Sequence, residues 1–92
     1  MANISVTGDA PTFRVEVDGG GTATTHTVTV PADLAASLGW PSGDDAALVR
    51  ASFEFLLARE PAASILRRFS LEVIGSYFPE YTGEMRRRAP SR

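Results

Sequence analysis

Residues 44–60 read DDAALVRASFEFLLARE. At about 100° per residue this stretch forms one helix with apolar side chains on two sides. Arg50 and Glu54 fall on one polar stripe, and Asp45, Ser52 and Arg59 on a second, roughly opposite. Between the stripes lie Val49, Phe53 and Leu56 on one face and Leu48, Ala51 and Phe55 on the other. A helix lying on a surface carries one apolar stripe, whereas a helix apolar nearly all round is buried. Residues 44–60 are therefore expected to be the centre of the fold, with a layer needed on each side.

The first layer lies upstream. Residues 12–17, TFRVEV, alternate Phe13, Val15 and Val17 against Thr12, Arg14 and Glu16. Residues 25–30, THTVTV, alternate His26, Val28 and Val30 against Thr25, Thr27 and Thr29. This period of two marks strands with one buried face. DGGGT, residues 18–22, turns the chain between them, and the pair reads as a β-hairpin. Ile4 and Val6 hint at a third, short strand before it, although residues 1–10 read equally as a loose end. Pro31 stops the second strand and opens a helix of about two turns, PADLAASL. Gly39 is its expected left-handed cap, with Trp40 folding back on the last turn.

The second layer lies downstream. Pro61 ends the central helix. Residues 62–68 read as a short helical turn with Ile65 and Leu66 inward, and residues 71–78 as a helix with Leu71, Ile74 and Phe78 on one face. Pro79 marks a boundary, and residues 84–92 read as a frayed, arginine-rich end. The order gives an α+β class: one domain over 1–92, a hairpin packed on three or four helices. A predicted core follows, joining Phe53, Leu56, Val28, Val30, Ile74 and Phe78. The face bearing Leu48, Ala51 and Phe55 is to be covered by helices 62–78 or by a second copy of the chain, and the sequence reading favours a homodimer.

Composition narrows the chemistry. Hydrophobic residues at 43% and charged residues at 22% describe a globular chain rather than a disordered one. No apolar run approaches the roughly 18 residues of a membrane span. The first residues, MANISVTGDAP, resemble no secretory signal, so a cytoplasmic location is expected. Without cysteine there is no disulfide and no thiol nucleophile. All nine basic residues are Arg, which reads as the codon bias of a GC-rich bacterial genome. Charge is uneven: residues 1–46 hold one Arg and six acids, and residues 47–92 hold eight Arg and five acids.

The inventory argues against an enzyme. His26 is the only histidine, so neither a histidine metal cluster nor a Cys–His pair can be assembled within one chain. Asp44 and Asp45 stand at a helix start, where acids serve as capping and dipole residues. The three glycines join two strands, whereas a phosphate-binding glycine loop leads from a strand into a helix. No catalytic, cofactor-binding or metal site is expected, and no cofactor.

Two resemblances bear on function. HTVTVPADLAASLG followed by ALVRASFEFLLARE resembles the order of ribbon-helix-helix regulators, dimeric DNA-binding proteins that are often antitoxins. That resemblance would place Thr25, Thr27 and Thr29 at the DNA. None is basic, although duplex affinity rests on Lys and Arg at phosphates. The stretch from Phe53 to Tyr81, with FEFLL, REP, SIL and YFPEY, is similar to a family of small uncharacterised bacterial proteins and implies a fold without a chemistry. The expected function is a small non-enzymatic protein-interaction or structural module, with the ribbon-helix-helix regulator as the alternative. Its partner would be a protein or a second copy, not nucleic acid or membrane. The aromatic run Tyr77, Phe78 and Tyr81 is a candidate docking patch, because tyrosine and phenylalanine are favoured at interfaces, set against the end of a helix folding its aromatics over the core. The basic run Arg86, Arg87 and Arg88 is the other candidate contact, a phosphate-seeking tail set against a solvated chain end.

Overall fold

A computed structural model describes residues 3–9, 11–19, 22–41 and 44–89. Its centre is helix α2, Asp45–Leu57, matching the expected central helix to within three residues at the C-terminal end. Both apolar faces are buried: Leu48, Val49, Ala51, Phe53, Phe55 and Leu56 are each at most 7% exposed.

Three strands form an antiparallel meander under one of these faces: β1, Asn3–Asp9; β2, Thr12–Gly19; and β3, Thr22–Thr29. The register places Val6, Val15 and His26 in one cross-strand row and Phe13 and Val28 in the next, all on the inner face. Period-2 alternation thus delivers one continuous apolar surface to α2. The N-terminal residues that read equally as a loose end form a full seven-residue strand, with Ile4 buried. Gly8 sits there at φ +105°, and a Cβ on it would stand 3.0 Å from the Thr12 carbonyl oxygen, so only glycine fits this turn of the ribbon. The Gly19–Thr22 pairing closes the β2–β3 hairpin around residues 20 and 21, which lie outside the described residues.

Helix α1, Leu34–Ser37, is shorter than the two turns expected. Its end matches the reading of the sequence. Gly39 is left-handed at φ +79°, the Trp40 N–H donates to the Ala35 carbonyl, and the Gly39 N–H donates to that of Ala36. These two bonds satisfy carbonyls that the helix end leaves open.

Three expectations for the second layer are corrected. Residues 62–68 do not form one helical turn: Ala62–Ser64 make a single 3-10 turn, and Arg68–Ser70 form strand β4. β4 pairs in parallel with β3, Val28 opposite Phe69, so the sheet order is β1-β2-β3-β4. His26 fixes this crossing, because its Nδ1 donates to the Leu66 carbonyl at 2.8 Å and its Nε2 meets the Thr24 hydroxyl at 2.9 Å. Once the chain is extended here, Ile65 turns inward and Leu66 turns out, 51% exposed rather than buried.

The helix expected over 71–78 is split into a 3-10 turn, Leu71–Val73, and helix α3, Ile74–Tyr77. Phe78, at φ −129° and ψ 92°, leaves the helical region because the following Pro79 disfavours it.

The largest correction is at the C-terminus. Residues 84–88 are not frayed but belong to helix α4, Tyr81–Arg88; residues 90–92 lie outside the described residues. Tyr81 and Met85, four apart on one face, are buried against α2. Ser52, assigned from spacing to a polar stripe, is fully buried beneath them. Its hydroxyl donates to the Leu48 carbonyl and meets the Tyr81 hydroxyl at 2.7 Å. The Trp40 indole N–H donates to the Met85 carbonyl at 2.9 Å, so the α1 corner also holds α4. The second face of α2 is therefore covered within the chain, by α4 rather than by helices 62–78 alone.

Candidate functional site

Among the described residues the outer face of the sheet is largely exposed. The row Thr7, Arg14, Thr27, Arg68 runs across all four strands, flanked by Ser5, Glu16 and Thr25 on one side and Asp9, Thr12, Thr29 and Ser70 on the other. Thr25, Thr27 and Thr29 do point outward, as a groove-reading strand requires. The face nevertheless sets Asp9, Glu16 and Asp18 against Arg14 and Arg68, and Arg14 is itself paired with Glu16 at 3.5 Å. No positive field results to hold phosphates. β3 is also an inner strand. Four strands about 4.8 Å apart make a slab broader than the two-stranded ribbon that a major groove about 12 Å wide admits.

The basic run is partly neutralised. Arg87 and Arg88 pair with Glu84, and Arg88 also reaches Glu54 at 3.2 Å. These cations hold the Glu84 carboxyl below the ordinary carboxylate range. Arg86 donates to the Ser37 carbonyl at the end of α1. Arg86 and Arg88 thus fasten α4 to α1 and α2, while Arg87 pairs within α4.

The aromatic run separates. Tyr81 is 2% exposed and belongs to the core, where burial pushes its hydroxyl up to about 12 despite the bond to Ser52. Its ring packs on Phe55 edge to face at 5.4 Å. Phe78 is half-buried and also meets Phe55, at 5.9 Å and 81°. Arg59 lies over the same Phe55 ring at 3.7 Å and pairs with Glu80 at 3.1 Å, tying the end of α2 to the start of α4. Tyr77, one residue before the break at Phe78, is left outside and is 68% exposed.

Tyr77 and Phe78 line a groove of about 300 Å³. One wall is the end of α2 and the crossover after it, Leu56, Glu60, Ile65 and Leu66; the other is Val73, Ile74, Tyr77 and Phe78, with Phe69 of β4 between them. This volume is about twice that of the ~150 Å³ cavity that takes up one benzene. It suits one or two apolar side chains. Leu66 and Tyr77, the two large hydrophobic residues exposed among those described, both line it. Glu60 is the charged residue of the lining and makes no ion pair among the described residues. Sequence reasoning found Tyr77 and Phe78 but missed Leu66 and Glu60, whose placement follows from the extended crossover.

A second hollow, of about 330 Å³, lies between Thr24, Thr25, His26 and the 62–67 crossover. Both ring nitrogens of His26 are already engaged, so it presents no free base. Among the described residues no group of three His, Cys, Asp or Glu could hold a metal ion, and no helix is long and apolar enough to cross a membrane. No protein-family model, no curated protein and no solved structure matches the chain.

Proposed function

We propose that this chain is a non-enzymatic protein-interaction module whose contact surface is the groove between residues 60–69 and 73–78. The observation that carries this reading is the coincidence of exposed apolar side chains with a concavity. Single exposed hydrophobics are ordinary on a protein surface, but a cluster beside a cavity marks a binding site. Leu66 and Tyr77 are such a cluster, and tyrosine in a pocket is among the side chains that dominate binding energy. The groove offers one carboxylate and no adjacent acid–base pair, which supports binding rather than catalysis. A chain without cysteine suits the reducing bacterial cytoplasm, where we place it.

Selection from a displayed peptide library tests this reading. We expect peptides with an apolar anchor to be enriched, to shift the amide resonances of residues 60–78, and to lose at least about ten-fold in affinity against Leu66→Asp, the scale of one hot-spot contact. Enriched peptides whose footprint lies on the outer sheet face would overturn it. So would salt-dependent binding of a DNA duplex mapped to Thr25, Thr27 and Thr29, which would instead support the regulator.

A further inference from the structure

We propose that the hollow beside His26 receives the carboxyl-terminal tail of a partner protein, added as a short strand along the uncovered part of the β3 edge with its terminal carboxylate on Arg67. This site is separate from the groove of Leu66 and Tyr77 and stands whether or not that groove binds.

The site begins with an incomplete ladder. β4 pairs with β3 only at Thr27, Val28 and Thr29. The first bond of this pairing runs from the Thr27 N–H to the Arg67 carbonyl at 2.6 Å. Along a paired strand, alternate residues turn their N–H and C=O to the same edge. Ala23 and Thr25 therefore face the same side as Thr27, while Thr24 and His26 face β2. β4 does not extend to Ala23 or Thr25, and their N–H and C=O groups on this edge have no backbone partner among the described residues. The edge borders the hollow of about 330 Å³ instead, which Ala62, Ala63, Ile65 and Arg67 line on its other side. The two alanines carry one methyl each and leave room for a backbone.

The ladder specifies what fits. Donors and acceptors that repeat every second residue, about 6.8 Å apart, match another extended chain. They do not match a phosphate, which the alternating carbonyls repel. The opposite edge of the sheet is obstructed, because on β1 the Arg50 guanidinium donates to the Ile4 carbonyl and Gly8 bends the strand through a positive φ.

Charge specifies the direction. Arg67 lines the hollow, is exposed and makes no ion pair among the described residues. The nearest acids on the sheet, Glu16 and Asp18, stand on β2, on the other side of β3. β4 fills the line from Thr27 onward, so an added segment stops where Arg67 stands. Run parallel to β3, the segment brings its carboxyl end there, and a guanidinium pairs with a carboxylate through two parallel bonds. Run antiparallel, it brings an amino end, whose positive charge Arg67 repels. Strand addition and capture of a terminal carboxylate are both recurring modes of peptide recognition.

Selection by the full chain from random peptides displayed with free carboxyl ends, followed by NMR titration with the enriched peptides, tests this. We expect the amides of Ala23 and Thr25 to shift and to gain protection from exchange, while those of Tyr77 and Phe78 stay in place. Amidating the peptide terminus should weaken binding at least about ten-fold, the scale of one charge-assisted bond. Arg67→Ala alters an exposed side chain, so it should fold; it should weaken the free-acid peptide equally and leave the amidated one unchanged. N-methylation scanned along the peptide should abolish binding at alternate positions, since only alternate amides face β3. An empty selection overturns the inference, as does equal binding of the amidated peptide. Sodium acetate that shifts Ala23 and Thr25 as strongly as the peptide also overturns it, leaving only a small-anion site. So does a footprint on Tyr77 and Phe78, which leaves the groove as the docking surface. If terminal peptides shift Ala23 and Thr25 while no peptide docks at Tyr77 and Phe78, the groove reading falls and this one stands.

Discussion

Tyr81 shows how much one hydroxyl can depend on its neighbours. Its O–H donates to the Ser52 oxygen, whose own proton goes to the Leu48 carbonyl, so every polar atom in the chain of bonds is satisfied without water. Ionising that hydroxyl would bury a charge, and the fold holds its pKa at about 12 against an ordinary 10. A raised pKa means that the folded protein keeps a proton the unfolded chain releases. Stability is therefore complete below pH 10 and is lost as pH rises toward 12, by roughly 2–3 kcal/mol in all. Urea melts between pH 9 and 12 should show this decline. Tyr81→Phe should remove most of it, at a cost of about 1 kcal/mol at neutral pH; an unchanged alkaline slope in that variant would assign the effect to another group.

The elements differ in how far the sequence discloses them. β2, β3 and α2 follow from periodicities of 2 and 3.6, and the Gly39 cap follows from a single residue. β4 has three residues, too few to display a period, and its existence depends on pairing with a strand 40 residues upstream at the His26–Leu66 contact. No local signal carries that. α4 did leave a trace, the four-residue spacing of Tyr81 and Met85, but three successive arginines obscured it. The same gap hid half of the groove, because Leu66 turns outward only once residues 65–70 are extended. Tyr77 and Tyr81, read as one aromatic cluster, are divided by the break at Phe78–Pro79. If α4 is the second cover of α2, Met85→Ala should cost about 2–5 kcal/mol in denaturant melts, the range for a fully buried methionine. A loss below about 0.5 kcal/mol, ordinary for a surface site, would mean that α4 is not packed as described.

At the scale of the molecule, Phe53 joins the layers. Its ring lies 5.2 Å from His26 of β3 and 5.9 Å from Phe69 of β4, and its side chain is fully buried in the core that also holds Leu56, Val28, Val30 and Ile74. Phe78, expected in this core, is partly buried and packs against it. Phe53→Ala should cost about 3–5 kcal/mol, a large share of the ~5–15 kcal/mol available to a domain. It should also lower amide protection in β3 and β4 together, which hydrogen exchange would detect. A loss confined to α2 would show that the layers are held independently.

The position of α4 in the sequence also bears on how the chain is made. Synthesis runs from the amino end at roughly 5–20 residues per second, and the meander and α2 leave the ribosome before residues 81–88 do. Until then Ser52, Phe55 and the Trp40 indole lack their final cover. A nascent chain interrupted before Tyr81 would thus present the apolar surface that chaperones bind, and a message broken upstream of that codon should yield a product destined for proteolysis rather than a smaller working module.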